Sequence, residues 1–108
     1  EAGWGRIVNI SSSRTHSGQP FMAAYVAAKS AVNGLTKSLA LEYGPHGITV
    51  NAVAAGRGFE PGYDGLGADS PTVSDEIARL SLFLTTPAAR HITGQTLHVS
   101  HGALAHFG

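Results

Sequence analysis

Tyr25 and Lys29 stand four residues apart in Ala24-Tyr25-Val26-Ala27-Ala28-Lys29. In a helix that spacing puts both on one face, one turn above the other. A free phenol loses its proton near pH ~10, too high for ready exchange at neutral pH. A cation within a few ångströms favours the phenolate and can lower that value by about 1–3 pH units. The pair therefore reads as a tuned acid/base, able to pass a proton to or from a carbonyl or alcohol oxygen. The same spacing occurs in many amphipathic helices whose Tyr and Lys are merely solvated, so context has to decide. Upstream, the apolar run Arg6-Ile7-Val8-Asn9-Ile10 ends in Ser11-Ser12-Ser13. A hydroxyl at the C-terminal end of a strand, beside a helix with a Tyr/Lys pair, is where α/β folds carry chemistry.

The positioning elements can be read in order. Ile7, Val8 and Ile10 make the first strand apolar on both faces, as a strand buried between helix layers requires. Thr15 to Pro20 reads as a loop. A long helix is expected from Ala23 to Tyr43, ended by Gly44-Pro45-His46-Gly47. Ala24, Ala27, Ala28 and Ala31 give it one small side, while Val32, Leu35, Leu39 and Leu41 supply bulk. The small side suits close approach by a second helix, or packing on the chain's own sheet. Gly47 to Val53 is a second strand, and Gln95 to Val99 a third.

After the second strand, Gly56 and Gly58 invite a dinucleotide-loop reading. It fails because the next glycine comes one place late and Pro61-Gly62 intervene before any helix. A loop is the better reading. Ser74 is placed to cap a short helix with Asp75 and Glu76 in its first turn. Ile77, Leu80 and Leu84 form that helix's apolar stripe, which stops near Pro87.

Composition narrows the classes. Seven acidic and seven basic residues balance, which argues against nucleic-acid and anionic-membrane binding. The absence of cysteine excludes disulfides and thiolate metal sites and fits a reducing compartment. No apolar run approaches the ~20 residues of a membrane span, and the first residues lack a signal peptide's layout. A soluble cytoplasmic protein is the expectation, and that setting argues against glycosylation at Asn9-Ile10-Ser11. His98, His101 and His106 read as surface imidazoles and not as a zinc site, so no metal is expected. His16, in the loop after the serines, is the better-placed histidine for touching a substrate.

Taken together, these segments resemble the short-chain dehydrogenases/reductases. Trp4 to Ser12 looks like that family's fifth strand, Tyr25-Val26-Ala27-Ala28-Lys29 matches its Tyr-x-x-x-Lys motif, and Gly47 to Val53 its sixth strand. Ile92-Thr93-Gly94-Gln95 resembles its C-terminal end. The wording is most similar to 3-hydroxybutyrate dehydrogenases and 3-oxoacyl reductases. The resemblance implies an α/β fold: a partial Rossmann-type, doubly wound parallel sheet of about three strands with two main helices. It implies NAD or NADP as cofactor and a small carbonyl or alcohol as substrate. Tyr25 would be the acid/base, and Lys29 would lower its pKa and bond the nicotinamide ribose. The family's serine, thirteen residues before the tyrosine, falls on Ser12, which would hold the substrate oxygen. Asn9 and Ile10, through their backbone, and Gly56 would lie near the cofactor. Ser11 and Ser13 would satisfy backbone groups at the strand end. The helix at 23–43 would form a homo-oligomer interface.

The chain also departs from that pattern. Residues 1–108 are expected to form one truncated domain without the family's N-terminal dinucleotide-binding half, its glycine-rich loop or its relay asparagine. Pro-Gly after the sixth strand becomes Ala55-Gly56, and the positions that would hold the carboxamide are Gly58 and Glu60. Phe59 to Ser74 is shorter than the usual substrate-covering segment, and Val-Asp-Gly-Gly becomes Val99-Ser100-His101-Gly102. Two other functions are compatible with these residues: a cofactor-independent hydrolase using Ser12, Tyr25 and Lys29, or a non-catalytic oligomerising module. A three-stranded sheet would also leave an open edge that seeks a partner.

Overall fold

The computed structural model describes residues 3–56 and 73–100. In chain order they form β1 (Gly5–Ser12), a one-turn helix α1 (Arg14–Ser17), the long α2 (Ala23–Tyr43), β2 (Ile48–Ala55), α3 (Val73–Leu84) and β3 (Thr96–Val99). Single 3-10 turns follow α2 at Gly44–His46 and α3 at Pro87–Ala89. The strands make one parallel sheet in the order β1-β2-β3. This is the expected α/β architecture.

Backbone bonding fixes which edge is open. Gly5 N–H donates to Gly47 O and Ser13 N–H to Ala55 O, so the odd-numbered residues of β1 face β2. Ala52 N–H donates to Gln95 O and Gly56 N–H to Val99 O, so the even-numbered residues of β2 face β3. The backbone groups of Arg6, Val8, Ile10 and Ser12 are left on the edge of β1 away from β2.

Side chains alternate across the sheet. Asn9 and Ser11 bond residues of α2. Val8, one place along, packs with Val53, Leu84 and Ala89 in the core cluster that Ile77 and Leu80 of α3 also join. The two helices therefore cover opposite faces. Ile92, Leu97 and Val99 complete the α3 side.

The turn into β2 requires a glycine. Gly47 has φ +75°, and a side chain there would run into Gly3's carbonyl. The start of β1 lies against the start of β2 at this point.

The structure decides four local points. Arg14–Ser17 is a helical turn and not loop, because Ser17 N–H reaches back to Ser13 O and Gly18 N–H to Arg14 O. Helix α3 begins at Val73, so Ser74 lies inside it and does not precede it; Asp75 and Glu76 do occupy the first turn. Leu35 and Leu41 are exposed, whereas Val26, Val32 and Leu39 are half-buried and Thr36 and Ala40 buried. Ala24, Ala27, Ala28 and Ala31 all point outward, so the small side does not pack on the chain's own sheet. Residues 57–72 and 101–108 lie outside the described residues, and with them Gly58, Glu60, His101 and His106.

Candidate active site

The candidate site lies at the C-terminal end of β1, where that strand and α2 meet. Ser12 is the strand's last residue, 4% exposed. Its Oγ accepts the backbone N–H of Arg14 at 3.1 Å, and its carbonyl accepts the hydroxyl of Thr15 at 2.7 Å. A serine so held keeps its own hydroxyl proton to offer to another oxygen.

Lys29 reaches the same strand end. Its Nζ donates to the carbonyl of Ile10 at 3.1 Å. That carbonyl points away from β2, so the ammonium takes up an acceptor outside the β1–β2 ladder. Tyr25, one turn earlier on α2, is 42% exposed, and its hydroxyl makes no hydrogen bond among the described residues. The fold thus brings Lys29 to Ile10, two residues before Ser12, while Tyr25 stands exposed one turn earlier on the same helix.

The residues expected to approach a cofactor separate into two kinds. Asn9's backbone belongs to the β1–β2 ladder, and its side chain donates to Thr36 Oγ1 at 3.1 Å. Thr36 in turn donates to Val32 O, so Asn9 docks β1 on α2. Ile10's carbonyl and half-exposed side chain remain at the edge with Lys29. Gly56 has a packing reason for lacking a side chain: a Cβ there would overlap Ser100 and press on Ser13 Oγ at 3.1 Å.

Ser11 and Ser13 bond side chains more closely than the backbone groups expected of them. Ser11 donates to Asn33 Oδ1 at 2.6 Å, and the carbonyl of Lys29 lies 3.5 Å away. Ser13 Oγ lies 2.9 Å from Nδ1 of His98, whose ring meets His16 edge-on with centroids 5.9 Å apart. Burial, and next the charge of His16, push the His98 imidazole below its ordinary pKa. His98 is a surface imidazole, as expected, and it also links β3 to the turn after β1. Among the described residues no group of three ligating side chains could hold a metal.

Sequence reasoning missed Asn33 and Thr15. The available signal was polar spacing on α2: Tyr25, Lys29 and Asn33 recur every four residues, and Thr36 extends the same stripe toward the sheet.

The family described as "Enoyl-(Acyl carrier protein) reductase" matches residues 1–103. The chain belongs to the short-chain dehydrogenase/reductase family. A Mycobacterium tuberculosis protein that carries the general name oxidoreductase is 58% identical over 89 residues, covering 82% of this chain and 40% of that protein. The acetoin dehydrogenase of Salmonella typhimurium superposes with a TM-score of 0.79 at 43% identity, covering 95% of this chain and 44% of that one. A 4-hydroxyisoleucine dehydrogenase complexed with NADH and succinate gives a TM-score of 0.79 at 34% identity, covering 94% and 46%. The chain spans less than half the length of these relatives. Among the described residues no helix is long and apolar enough to cross a membrane.

Proposed function

We propose that this chain forms the catalytic half of an NAD(P)-dependent oxidoreductase that interconverts an alcohol and a ketone. The observation that carries the reading is Lys29 Nζ on the Ile10 carbonyl, two residues before Ser12 and one helical turn from Tyr25, in a chain of this family. An acetoin dehydrogenase and a dehydrogenase bound to NADH among its structural relatives support it.

The residues fit one end of the dinucleotide. Lys29 supplies a donor and Tyr25 an open hydroxyl, which suits the nicotinamide ribose. Among the described residues no glycine-rich turn leads from a strand into a helix N-terminus, where a pyrophosphate would sit. A bound nicotinamide would supply or accept the hydride. Ser12 then donates its hydroxyl to the substrate oxygen and orients it. Tyr25 gives that oxygen a proton in reduction and takes one in oxidation. Lys29, turned from Ile10 O, favours the phenolate that remains.

The same reading assigns a cytoplasmic setting, supported by the absence of cysteine. It also assigns a homo-oligomer formed through residues 23–43, supported by the outward alanine face and exposed Leu35 and Leu41. The experiment uses the protein as it occurs in its organism, with NADH or NADPH and acetoin-type hydroxyketones. Oxidation of the reduced cofactor should be lost in Tyr25→Phe, by roughly 100-fold or more, with an unchanged far-UV spectrum. Full activity in that variant would remove Tyr25 from the chemistry.

A further inference from the structure

Ser12 is joined to α2 by a chain of hydrogen bonds with a consistent direction. Ser11 Oγ donates to Asn33 Oδ1 at 2.6 Å, Asn33 Nδ2 donates to Thr15 Oγ1 at 3.0 Å, and Thr15 Oγ1 donates to the Ser12 carbonyl at 2.7 Å. Each hydroxyl spends its single proton once, and the amide uses both its ends. The residue before Ser12 and the carbonyl of Ser12 are therefore tied, through two routes, to one side chain. Ser11 is only 2% exposed and Thr15 and Asn33 are half-buried, so the network is partly shielded from competing water at the strand end.

Asn33 lies one turn beyond Lys29 and two turns beyond Tyr25 on α2. Any rotation or slide of that helix would move all three together. We propose that Asn33 is a positioning residue: it sets the distance and angle between Ser12 on β1 and the Tyr25/Lys29 pair on α2. The inference rests on the proposed oxidoreductase reading and extends it. Asn33 touches no reacting atom; it acts through Ser11 and Thr15. Thr36, holding Asn9 one turn further on, secures the same helix to the same strand but lies away from the strand end. Its loss should loosen packing without altering Ser12.

The test uses the protein as it occurs in its organism, carrying Asn33→Leu, Thr15→Val or Thr15→Ser. Steady-state kinetics are read beside amide hydrogen exchange of residues 12–18 and of β2. Asn33→Leu should lower kcat by roughly 10- to 100-fold with KM changed less than about threefold, the mark of misplaced groups with retained binding. Exchange over residues 12–18 should quicken about tenfold while β2 stays protected. Thr15→Val should give a smaller loss of kcat, and Thr15→Ser, which restores a hydroxyl, should recover most of it. A kcat within twofold of the original in Asn33→Leu overturns the proposal. So does a loss of kcat accompanied by equal loosening of β2, which is a general structural defect. If the unaltered protein turns over no alcohol or ketone with either cofactor, the oxidoreductase reading fails by itself. Exchange then decides: quickening confined to residues 12–18 supports the positioning of Ser12, and unchanged exchange overturns it.

Discussion

Strands β1 and β2 have the same length and pair over all of it, from Gly5 against Ile48 to Ser12 against Ala55. Their burial is nevertheless different. From Thr49 to Ala54 every residue of β2 is buried, whereas Ile7 and Ile10 of β1 are 38% and 49% exposed. Both strands are apolar on two faces, the pattern of a strand enclosed between helix layers. What separates them is company: among the described residues β2 has a strand on each side, and β1 has one. The residue pattern says what a strand can bury, and its neighbours say what it does bury. On the open side the Ile10 carbonyl is met by Lys29, so the edge of β1 is where the candidate chemistry gathers.

The contrast is tested most strongly inside β2. Asn51 is 1% exposed, donates to Ile92 O at 2.9 Å and accepts the N–H of Gln95 at 3.1 Å. Asn51→Ala takes the partner from the part-buried Ile92 carbonyl and Gln95 N–H and leaves a gap in a buried site, and should cost about 2 kcal/mol. Urea denaturation reads this directly, and a loss below about 1 kcal/mol would break the claim that β2 is the enclosed strand. A sharper comparison uses residues that face each other across the ladder, Ile7 and Val50. Val50→Ala, in a fully buried site, should cost about 2 kcal/mol, while Ile7→Ala deletes more carbon yet should cost only about 1 kcal/mol. The reverse order would mean that something covers β1 in solution. The smallest effect lies on the other flank of β2, where His98 pairs with Ala54.

Because the fold lowers the pKa of His98, it favours the neutral imidazole. That stabilisation is complete above the ordinary histidine value of about 6.5 and is lost as pH falls through the lower, folded value. Denaturation midpoints taken from pH 8 down to pH 5 should therefore fall more steeply in the unaltered protein than in His98→Gln. Parallel curves would show that another group titrates.

Much of this was legible because it is local. The helix at Ala23–Tyr43 was bounded by its own periodicity and by the Gly-Pro-His-Gly that follows, and the structure keeps both ends. Three strands were visible as apolar runs, each within two residues of its observed limits. Tyr25 and Lys29 could be placed on one helix by spacing alone. The faces of α2 were less legible: its leucines and alanines are mixed around the helix, so their types did not reveal which side meets the sheet. The roles of the three serines were not legible either. Adjacent and identical, they differ only in what each meets: Asn33 for Ser11, the Arg14 amide for Ser12 and His98 for Ser13.

The sequence by itself determined the elements, the family and the placing of Tyr25 and Lys29 on one helix, since each depends on residues a few places apart. Only the tertiary structure decided that Lys29 turns to Ile10, that Asn9 grips Thr36, and that Asn33 holds both sides of Ser12. Those bonds join residues 18 to 27 places apart. No local rule specifies such a partner; it is fixed when the helix and the strand pack and their buried polar groups must find one another.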